Sequence, residues 1–321
     1  MRVRARFPYG SPTWPGGVAR PPVERRTGVD FETDWARRYP ARLARAVFVD
    51  QLLRPVVRAL VPPHVHGVDR LEALDGPVIF VANHQSHLDM PLLLSALPDR
   101  WRHRAVVAAA ADYFFDTRVK GALSALVLGA LPVERGRVDR RPLEQARALL
   151  DDGWSLVIFP EGGRSPDGWA QRFRGGAAYL SMNERGQAKL GGGRSGLSAA
   201  EGGTTSGRRP MHGGFPVVPV HLDGTGRVLP KGAKRPSRAA VHVTFGSPLR
   251  PREGERTNRF AERIEEAVAV LADERATDWW TARRRAATRT TPALTGPATG
   301  AWRRAWALER GRRQSAARAW P

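Results

Sequence analysis

The chain has 321 residues, enough for one large α/β domain with terminal extensions or for two smaller domains. It contains no cysteine, which excludes disulfide bonds, thiolate metal ligands and a cysteine nucleophile. Lysine and arginine total 52 against 31 aspartate and glutamate residues, and the net charge of +21 predicts a polyanionic partner: nucleic acid, an anionic lipid surface or an acidic carrier protein.

The N-terminal arm, residues 1–38, is rich in Pro, Gly and Arg and shows no helical period, so we predict that it is extended or poorly ordered. An amphipathic helix is predicted over residues 41–60, where apolar residues recur at steps of three and four, and Pro62 and Pro63 end it. The arm lacks the apolar core of a signal peptide, and no uncharged span of about 20 apolar residues follows it. We therefore expect a cytoplasmic protein that contacts the inner face of the membrane.

Strands and helices then alternate along the chain. We predict strands at 77–82, 104–110, 131–133, 154–159, 216–221 and 241–246, and helices at 87–97, 117–128, 140–151, 175–182 and 255–273. This order predicts an α/β fold with a mixed, largely parallel sheet flanked by helices, preceded by the N-terminal amphipathic helical segment. The predicted domain covers 39–274, with the glycine-rich stretch 183–212 as a flexible insertion and 275–321 as a basic tail containing five tryptophans.

The first candidate site motif is Asn83-His84-Gln85-Ser86-His87-Leu88-Asp89, directly after the buried strand 77–82. Side chains five apart diverge on a regular helix, so His84 meets Asp89 only if His84 lies in a loop and Asp89 in the first turn of the next helix. Asp89 would then fix the imidazole tautomer, and His84 could deprotonate a substrate hydroxyl. Two alternatives are that these are ordinary cap and surface residues, or that His84, His87 and Asp89 bind a metal. We predict no metal site, since no further ligand cluster completes one.

The second motif is Phe159-Pro160-Glu161-Gly162-Gly163-Arg164-Ser165, directly after the strand 154–159. Gly162 and Gly163 would let backbone N–H groups approach an anion, and Arg164 adds a fork matched to phosphate oxygens. Ser165 supplies another donor, while Glu161 could hold a substrate hydroxyl or orient Arg164. The plainer interpretation is a glycine turn followed by a surface arginine.

Two further arginines follow strand or loop ends. Arg135 comes directly after the short strand 131–133, and Arg174 precedes two glycines that open the helix at 175–182. The start of a helix favours anions, so Arg174 is a candidate anion contact. Individually, both signals are weak.

The order of these blocks resembles the glycerolipid acyltransferase family typified by 1-acyl-sn-glycerol-3-phosphate acyltransferase. Asn83, His84 and Asp89 look like its N-H-x-x-x-x-D block, and Phe159 through Ser165 resembles its [FV]-P-E-G-T-R-S block. Between them, Gly129 through Arg135 is similar to a block that ends in arginine, and Val218-Pro219-Val220 is similar to the fourth, an apolar V-P-V strand. The resemblance covers about residues 40–272.

The resemblance implies that His84 is the catalytic base and Asp89 its partner. It also implies that Arg135, Glu161, Gly162 and Arg164 hold the acceptor's phosphate and glycerol; the neighbouring Gly163 and Ser165 belong to the same predicted anion loop. The donor would be a fatty acyl thioester, acyl-CoA or acyl-ACP (acyl carrier protein), and no cofactor beyond this co-substrate is expected. The N-terminal helical segment would seat the enzyme on anionic phospholipid.

The implied activity is acyl transfer to a lysophospholipid hydroxyl, most simply 1-acyl-glycerol-3-phosphate giving phosphatidate. Gly163 departs from the family, which has threonine there, so another lysolipid, a glycolipid or an aminolipid is the alternative acceptor. A different class, a basic nucleic-acid-binding protein, is suggested by the charge and by the Arg and Trp residues of 279–320. No nucleic-acid motif appears and the charge lies mostly in the tails, so we expect no nucleic-acid partner.

Overall fold

A computed structural model describes residues 28, 30–133, 140–164, 168–182, 214–229 and 235–296. Most of the N-terminal arm, the insertion 183–212 and residues 297–321 of the basic tail therefore lie outside the described residues. Two predicted site residues, Arg135 and Ser165, lie outside them as well.

A seven-stranded mixed sheet forms the centre of the fold. Its strands are β1 (Pro63–His66), β2 (Ile79–Ala82), β3 (Ala105–Ala110), β4 (Ala130–Val133), β5 (Ser155–Ile158), β6 (Val217–Asp223) and β7 (Val241–Phe245), in the spatial order β1-β7-β6-β2-β5-β3-β4. All neighbouring strands are parallel except β6 and β7, which are antiparallel. The predicted mixed, largely parallel sheet is confirmed.

Helices flank this sheet. They are α1 (Tyr39–Phe48), α2 (Arg54–Leu60), α3 (Asp89–Ala96), α4 (Asp99–Arg102), α5 (Ala111–Phe114), α6 (Arg118–Leu123), α7 (Arg140–Asp151), α8 (Gly176–Met182), α9 (Thr225–Val228), α10 (Thr257–Ala276) and α11 (Trp279–Ala287). Two π-helical stretches, Val49–Leu53 and Ser124–Leu128, follow α1 and α6.

The central strands are buried on both faces, which explains why they read as apolar runs rather than alternating ones. From β2, Phe80 and Ala82 pack into the core beneath α3. Ile79 and Val81, on the opposite face, pack into the core with Phe260 of α10. The carboxyl end of β2 is therefore held from both sides, and the loop that carries the first motif leaves the sheet at this point.

The N-terminal helical segment turns its apolar stripe outward. Arg45 is 4% exposed and donates to the carbonyls of Val127 (3.2 Å) and Ala105 (3.0 Å). The exposed stripe consists of Leu43, Val47, Leu52, Val56 and Leu60. The spacing in this series is four residues except for the five between Val47 and Leu52. That longer step coincides with the π-helical stretch, whose wider turn keeps the stripe on one face. No helix among the described residues is long and apolar enough to cross a membrane.

The edge strand β1 and the C-terminal helices differ from the sequence predictions. Pro63 was predicted only to end the first helix, but it begins β1, an edge strand, where a first-position proline breaks no ladder hydrogen bond. The helix predicted to end at residue 273 continues to Ala276, and α11 follows within the segment predicted as the tail. Ala282 of α11 is fully buried, so this part of the segment is packed.

Candidate active site

The loop after β2 is fixed to the sheet by the amide of Asn83. Its Nδ2 donates to the carbonyl of Leu222 (2.9 Å), and its Oδ1 accepts from the N–H of Leu222 (2.7 Å). This pair continues the contact between β2 and β6 one residue beyond the end of β2. From the sequence, Asn83 was only one position of the first motif. In the structure it fixes the start of the loop, and with it the position of the His84 backbone.

Asp89 is the first residue of α3, and its carboxylate is fully buried under the loop. Its Oδ2 accepts three hydrogen bonds: from the N–H of Gln85 (2.7 Å), the N–H of Ser86 (2.8 Å) and Nδ1 of His84 (2.8 Å). The loop therefore wraps around one anionic oxygen, and these donors offset the cost of burying its charge. The hydroxyl of Ser86 accepts from the N–H of Leu88 (3.2 Å) and donates to the carbonyl of Leu229 (2.9 Å).

His84 and Asp89 thus meet in the arrangement that their spacing requires. Because a carboxylate can only accept, Nδ1 of His84 carries the proton and Nε2 is the nitrogen able to accept one. The imidazole stacks on Phe159, with ring centroids 4.4 Å apart, and its side chain is 21% exposed. The ring is therefore held on two sides while part of it reaches the surface.

Glu161 is buried and contacts the backbone of two loops. Its Oε1 accepts from the backbone N–H of His84 (2.7 Å), and its Oε2 accepts from that of Gln171 (2.9 Å). The residue is 2% exposed. Burial raises the pKa of Glu161 to about 7, although the hydrogen bonds from Gln171 and His84 oppose this rise. Each oxygen thus accepts from the protein backbone, so Glu161 joins the His84 loop to the loop that carries Gln171.

Gly162 is required by its backbone and by its neighbour. Its φ is +71°, a left-handed conformation that favours glycine. A Cβ at this position would lie 2.8 Å from Cζ of Arg174, so the Arg174 guanidinium packs directly against the glycine. Arg174, the candidate anion contact, is itself exposed. By contrast, a Cβ on Gly163 would meet no atom of the described residues within 4 Å, so this part of the chain leaves space for a threonine side chain.

Arg164 lies on the same side of the molecule as the His84 loop. It is half-buried, and its positive charge is, after burial itself, the next largest cause that lowers the pKa of His87. From the sequence, His87 was considered as an ordinary cap or surface residue or as a metal ligand. In the structure its Nε2 is 3.1 Å from the hydroxyl of Tyr113, and the two rings stack with centroids 5.1 Å apart. Tyr113 is a neighbour that the sequence did not indicate.

Over the described ranges, no group of three His, Asp or Glu side chains could hold a metal ion. The described part of the site contains the His84 imidazole bonded through Nδ1 to Asp89, the glycine loop after β5 and the guanidinium of Arg164.

Known proteins are similar to this chain in sequence and in fold. A family model described as "Acyltransferase" matches residues 62–222, half of the chain. The chloroplastic 1-acyl-sn-glycerol-3-phosphate acyltransferase of Brassica napus is 28% identical over 174 residues, which are 53% of this chain and 40% of the relative. The lyso-ornithine lipid O-acyltransferase of Pseudomonas aeruginosa is 30% identical over 200 residues, 62% of this chain and 69% of that protein.

The chain therefore spans well under half the length of the plant relative. Among solved structures, 1-acyl-sn-glycerophosphate acyltransferase (PlsC) from Thermotoga maritima superposes with a TM-score of 0.50 at 22% identity, over 76% of this chain and 83% of that one. At this identity the likeness concerns the fold. The family match, together with the Pseudomonas relative, confirms the resemblance seen in the motifs: the chain belongs to the acyltransferase family.

Proposed function

We propose that this chain transfers a fatty acyl group from a thioester, acyl-CoA or acyl-ACP, to the free hydroxyl of a lysophospholipid, with 1-acyl-glycerol-3-phosphate as acceptor and phosphatidate as product. The observation that carries the proposal is the contact between His84 Nδ1 and Asp89 Oδ2 at 2.8 Å, which makes Nε2 the proton acceptor.

In this mechanism the acceptor hydroxyl attacks the thioester carbonyl carbon while its proton passes to Nε2 of His84. The carbon–sulfur bond then breaks, and the proton moves from Nε2 to the departing thiolate. Asp89 stabilises the imidazolium between the two transfers. Acyl group, proton and electron pairs balance between thioester and acceptor alone, so the proposal requires no acyl-enzyme and no further cofactor.

We assign the acceptor's phosphate to the loop after β5. Gly163 carries no side chain there, and Arg164 supplies a charged fork on the side of the His84 loop, while the N–H of Gly162 closes the turn by donating to the carbonyl of Phe159 (3.3 Å). By resemblance, Arg135 and Ser165, which lie outside the described residues, would complete this contact. Glu161 acts indirectly, since its carboxylate holds the backbone of His84.

We further propose that the enzyme works on the anionic inner face of the cell membrane. The exposed stripe of the N-terminal helical segment would enter the lipid, and the net charge of +21 would favour an anionic surface. The same charge could attract nucleic acid, but lipid binding also uses the apolar stripe, which nucleic acid would leave exposed.

An aminolipid is the second candidate class of acceptor. One relative, matched over 69% of its own length, is named for a lyso-ornithine lipid, and Gly163 stands where the phosphatidate-forming family pattern has threonine. An aminolipid acceptor would use the same base and the same donor but would lack a phosphate for Arg164.

A panel of acceptors with one acyl thioester tests the proposal. With product analysis by mass spectrometry, we expect wild type to convert lysophosphatidate to phosphatidate. Arg164→Ala should raise the KM for lysophosphatidate about 10- to 100-fold with kcat nearly unchanged, as expected for a lost charge-assisted hydrogen bond made equally in ground and transition states. Arg259→Ala, at an arginine whose side chain is 78% exposed on α10, is the matched control and should behave as wild type.

Three outcomes are decisive. Acylation of lyso-ornithine lipid in preference to lysophosphatidate would select the second acceptor class. An unchanged KM in Arg164→Ala would remove the role of this arginine. Failure to acylate any lysolipid hydroxyl would contradict the proposed function altogether.

A further inference from the structure

The chain beyond the family-matched region returns to the active site. After α10 ends, the chain turns at 277–278 and α11 folds back against α10. Arg285 of α11 pairs with the buried carboxylate of Asp273 in α10 (2.6 Å). Ala282 of α11 is fully buried. These contacts hold α11 against α10, and they thereby fix the position from which residues 289–296 continue.

A left-handed turn at Arg289 ends α11. Arg289 has a φ of +56° and is the single non-glycine residue with positive φ within the described ranges. The N–H of Thr290 donates to the carbonyl of Arg285 (2.8 Å), and that of Arg289 donates to Ala286 (3.2 Å). This pair of bonds is the Schellman type of helix ending, in which glycine usually occupies the left-handed position. The turn directs residues 290–296 away from the helix.

Residues 290–296 contact the loop that donates a hydrogen bond to Glu161. The carbonyl of Leu294 accepts from the N–H of Ala170 (3.1 Å), and the next residue, Gln171, donates its N–H to Glu161 (2.9 Å). Glu161 accepts in turn from the N–H of His84 (2.7 Å). An uninterrupted series of contacts therefore runs from the C-terminal segment to the backbone of the proposed base.

We propose that residues 289–296 are a positioning segment, which holds the loop Gly168–Phe173 so that Gln171 and Glu161 keep His84 in its reactive place. This role rests on the proposed function in which His84 is the base. The loop has other attachments as well: the N–H of Phe173 donates to Glu265 of α10 (2.9 Å), and Nε2 of Gln85 donates to the carbonyl of Gly168 (3.5 Å). The segment therefore acts on residues 170–171, which lie between these two attachments. The family match ends at residue 222, so the segment lies outside the part of the chain shared with the family model.

A matched pair of full-length variants separates the turn from its charge. Arg289→Gly and Arg289→Val both remove the guanidinium, but glycine adopts the left-handed conformation readily while a β-branched residue is strongly disfavoured there. A third full-length variant replaces residues 290–296 with a Gly–Ser sequence of equal length, which keeps the chain length and removes the docked segment. Amide hydrogen exchange at residues 169–173, kcat, KM and the pH profile of kcat are measured for each.

In Arg289→Val and in the Gly–Ser variant, we expect the amide hydrogens of Ala170 and Gln171 to exchange faster than in wild type. We expect kcat to fall about fivefold, which is the effect of losing one hydrogen bond of ordinary strength. The KM of both variants for the acceptor should stay unchanged. Their acid limb of kcat should move to higher pH, because the Gln171 N–H lowers the pKa of Glu161 and a protonated carboxyl cannot accept both backbone bonds well. Arg289→Gly should match wild type in all of these measurements.

Either of two results overturns the proposal. In the first, the Gly–Ser variant leaves the exchange of Ala170 and Gln171 as in wild type, so the segment does not hold the loop. In the second, exchange accelerates while kcat and its pH profile stay unchanged, so the contact is only structural. Amide exchange needs no catalysis, so a wild-type chain without acyltransferase activity would contradict the proposed function and not the anchoring of the loop.

Discussion

Replacing His84 with Ala is expected to lower kcat for acyl transfer to lysophosphatidate by about 10²- to 10⁴-fold, the usual contribution of a general base. The reason is that Nδ1 of this ring is committed to Asp89, so Nε2 is the proton acceptor that the arrangement provides. The affinity for lysophosphatidate should stay close to that of wild type, because its phosphate is assigned to the loop around Arg164. Steady-state rates and a direct binding measurement on the same preparations check both parts.

His66→Ala is the matched control, since His66 is an exposed histidine on the edge strand β1. It should keep the wild-type rate. A His84→Ala variant that retains more than about one tenth of wild-type kcat would contradict the role of the base, given the contribution expected of one. A loss of lysophosphatidate binding equal to the loss of rate would place His84 in binding rather than in proton transfer.

Asp89→Asn is expected to reduce kcat by about 10²- to 10⁴-fold while leaving the loop recognisable. The amide oxygen can still accept the three donors that now surround Oδ2, but the neutral side chain no longer stabilises the imidazolium. The amide nitrogen would then occupy the place of Oδ1, which is buried and has no hydrogen-bond partner in the described part of the chain. We therefore also expect a loss of about 1–3 kcal/mol in the free energy of unfolding, the cost of an unsatisfied buried donor.

Asp99→Asn provides the comparison for this second substitution. Asp99 also begins a helix, α4, but its side chain is 79% exposed and its ion pair is with Arg102. Its replacement should leave kcat unchanged and should alter stability little, as for most exposed ion pairs. Urea unfolding and initial rates of both variants give the test; an Asp89→Asn enzyme within tenfold of wild-type kcat would show that the imidazolium needs no buried anion.

The sequence predicted the elements whose signal is local. The apolar runs of β2 and β5, and the recurrence of Phe260, Ile264 and Val268 along α10, follow directly from burial on the sheet. The pairing of His84 with Asp89 was also predictable, because the spacing of five permits only one loop-and-helix arrangement in which the side chains meet.

The features that the sequence did not predict depend on contacts with residues far away in the chain. Glu161 reads as a polar residue beside glycines, yet its role is set by backbone N–H groups of His84 and Gln171, which no local pattern reveals. The helix α11 contains three consecutive arginines and its two tryptophans are exposed, so its sequence resembles a solvated tail. It packs through the buried Ala282 and the ion pair between Arg285 and Asp273. Strand β1 alternates exposed histidines with partly buried residues at a sheet edge, which is too weak a pattern to predict.

The central claim is that one acceptor molecule, held through its phosphate by Arg164, reaches the imidazole of His84. Titrating lysophosphatidate into the full-length chain labelled with ¹⁵N at its histidines, with His84→Ala used to identify the signal, tests this most directly. We predict that the His84 ring is protonated at Nδ1, that its ¹⁵N signals shift saturably with ligand, and that Arg164→Ala requires about 10- to 100-fold more ligand for the same shift. A His84 signal that stays in place at saturating lysophosphatidate would contradict the account.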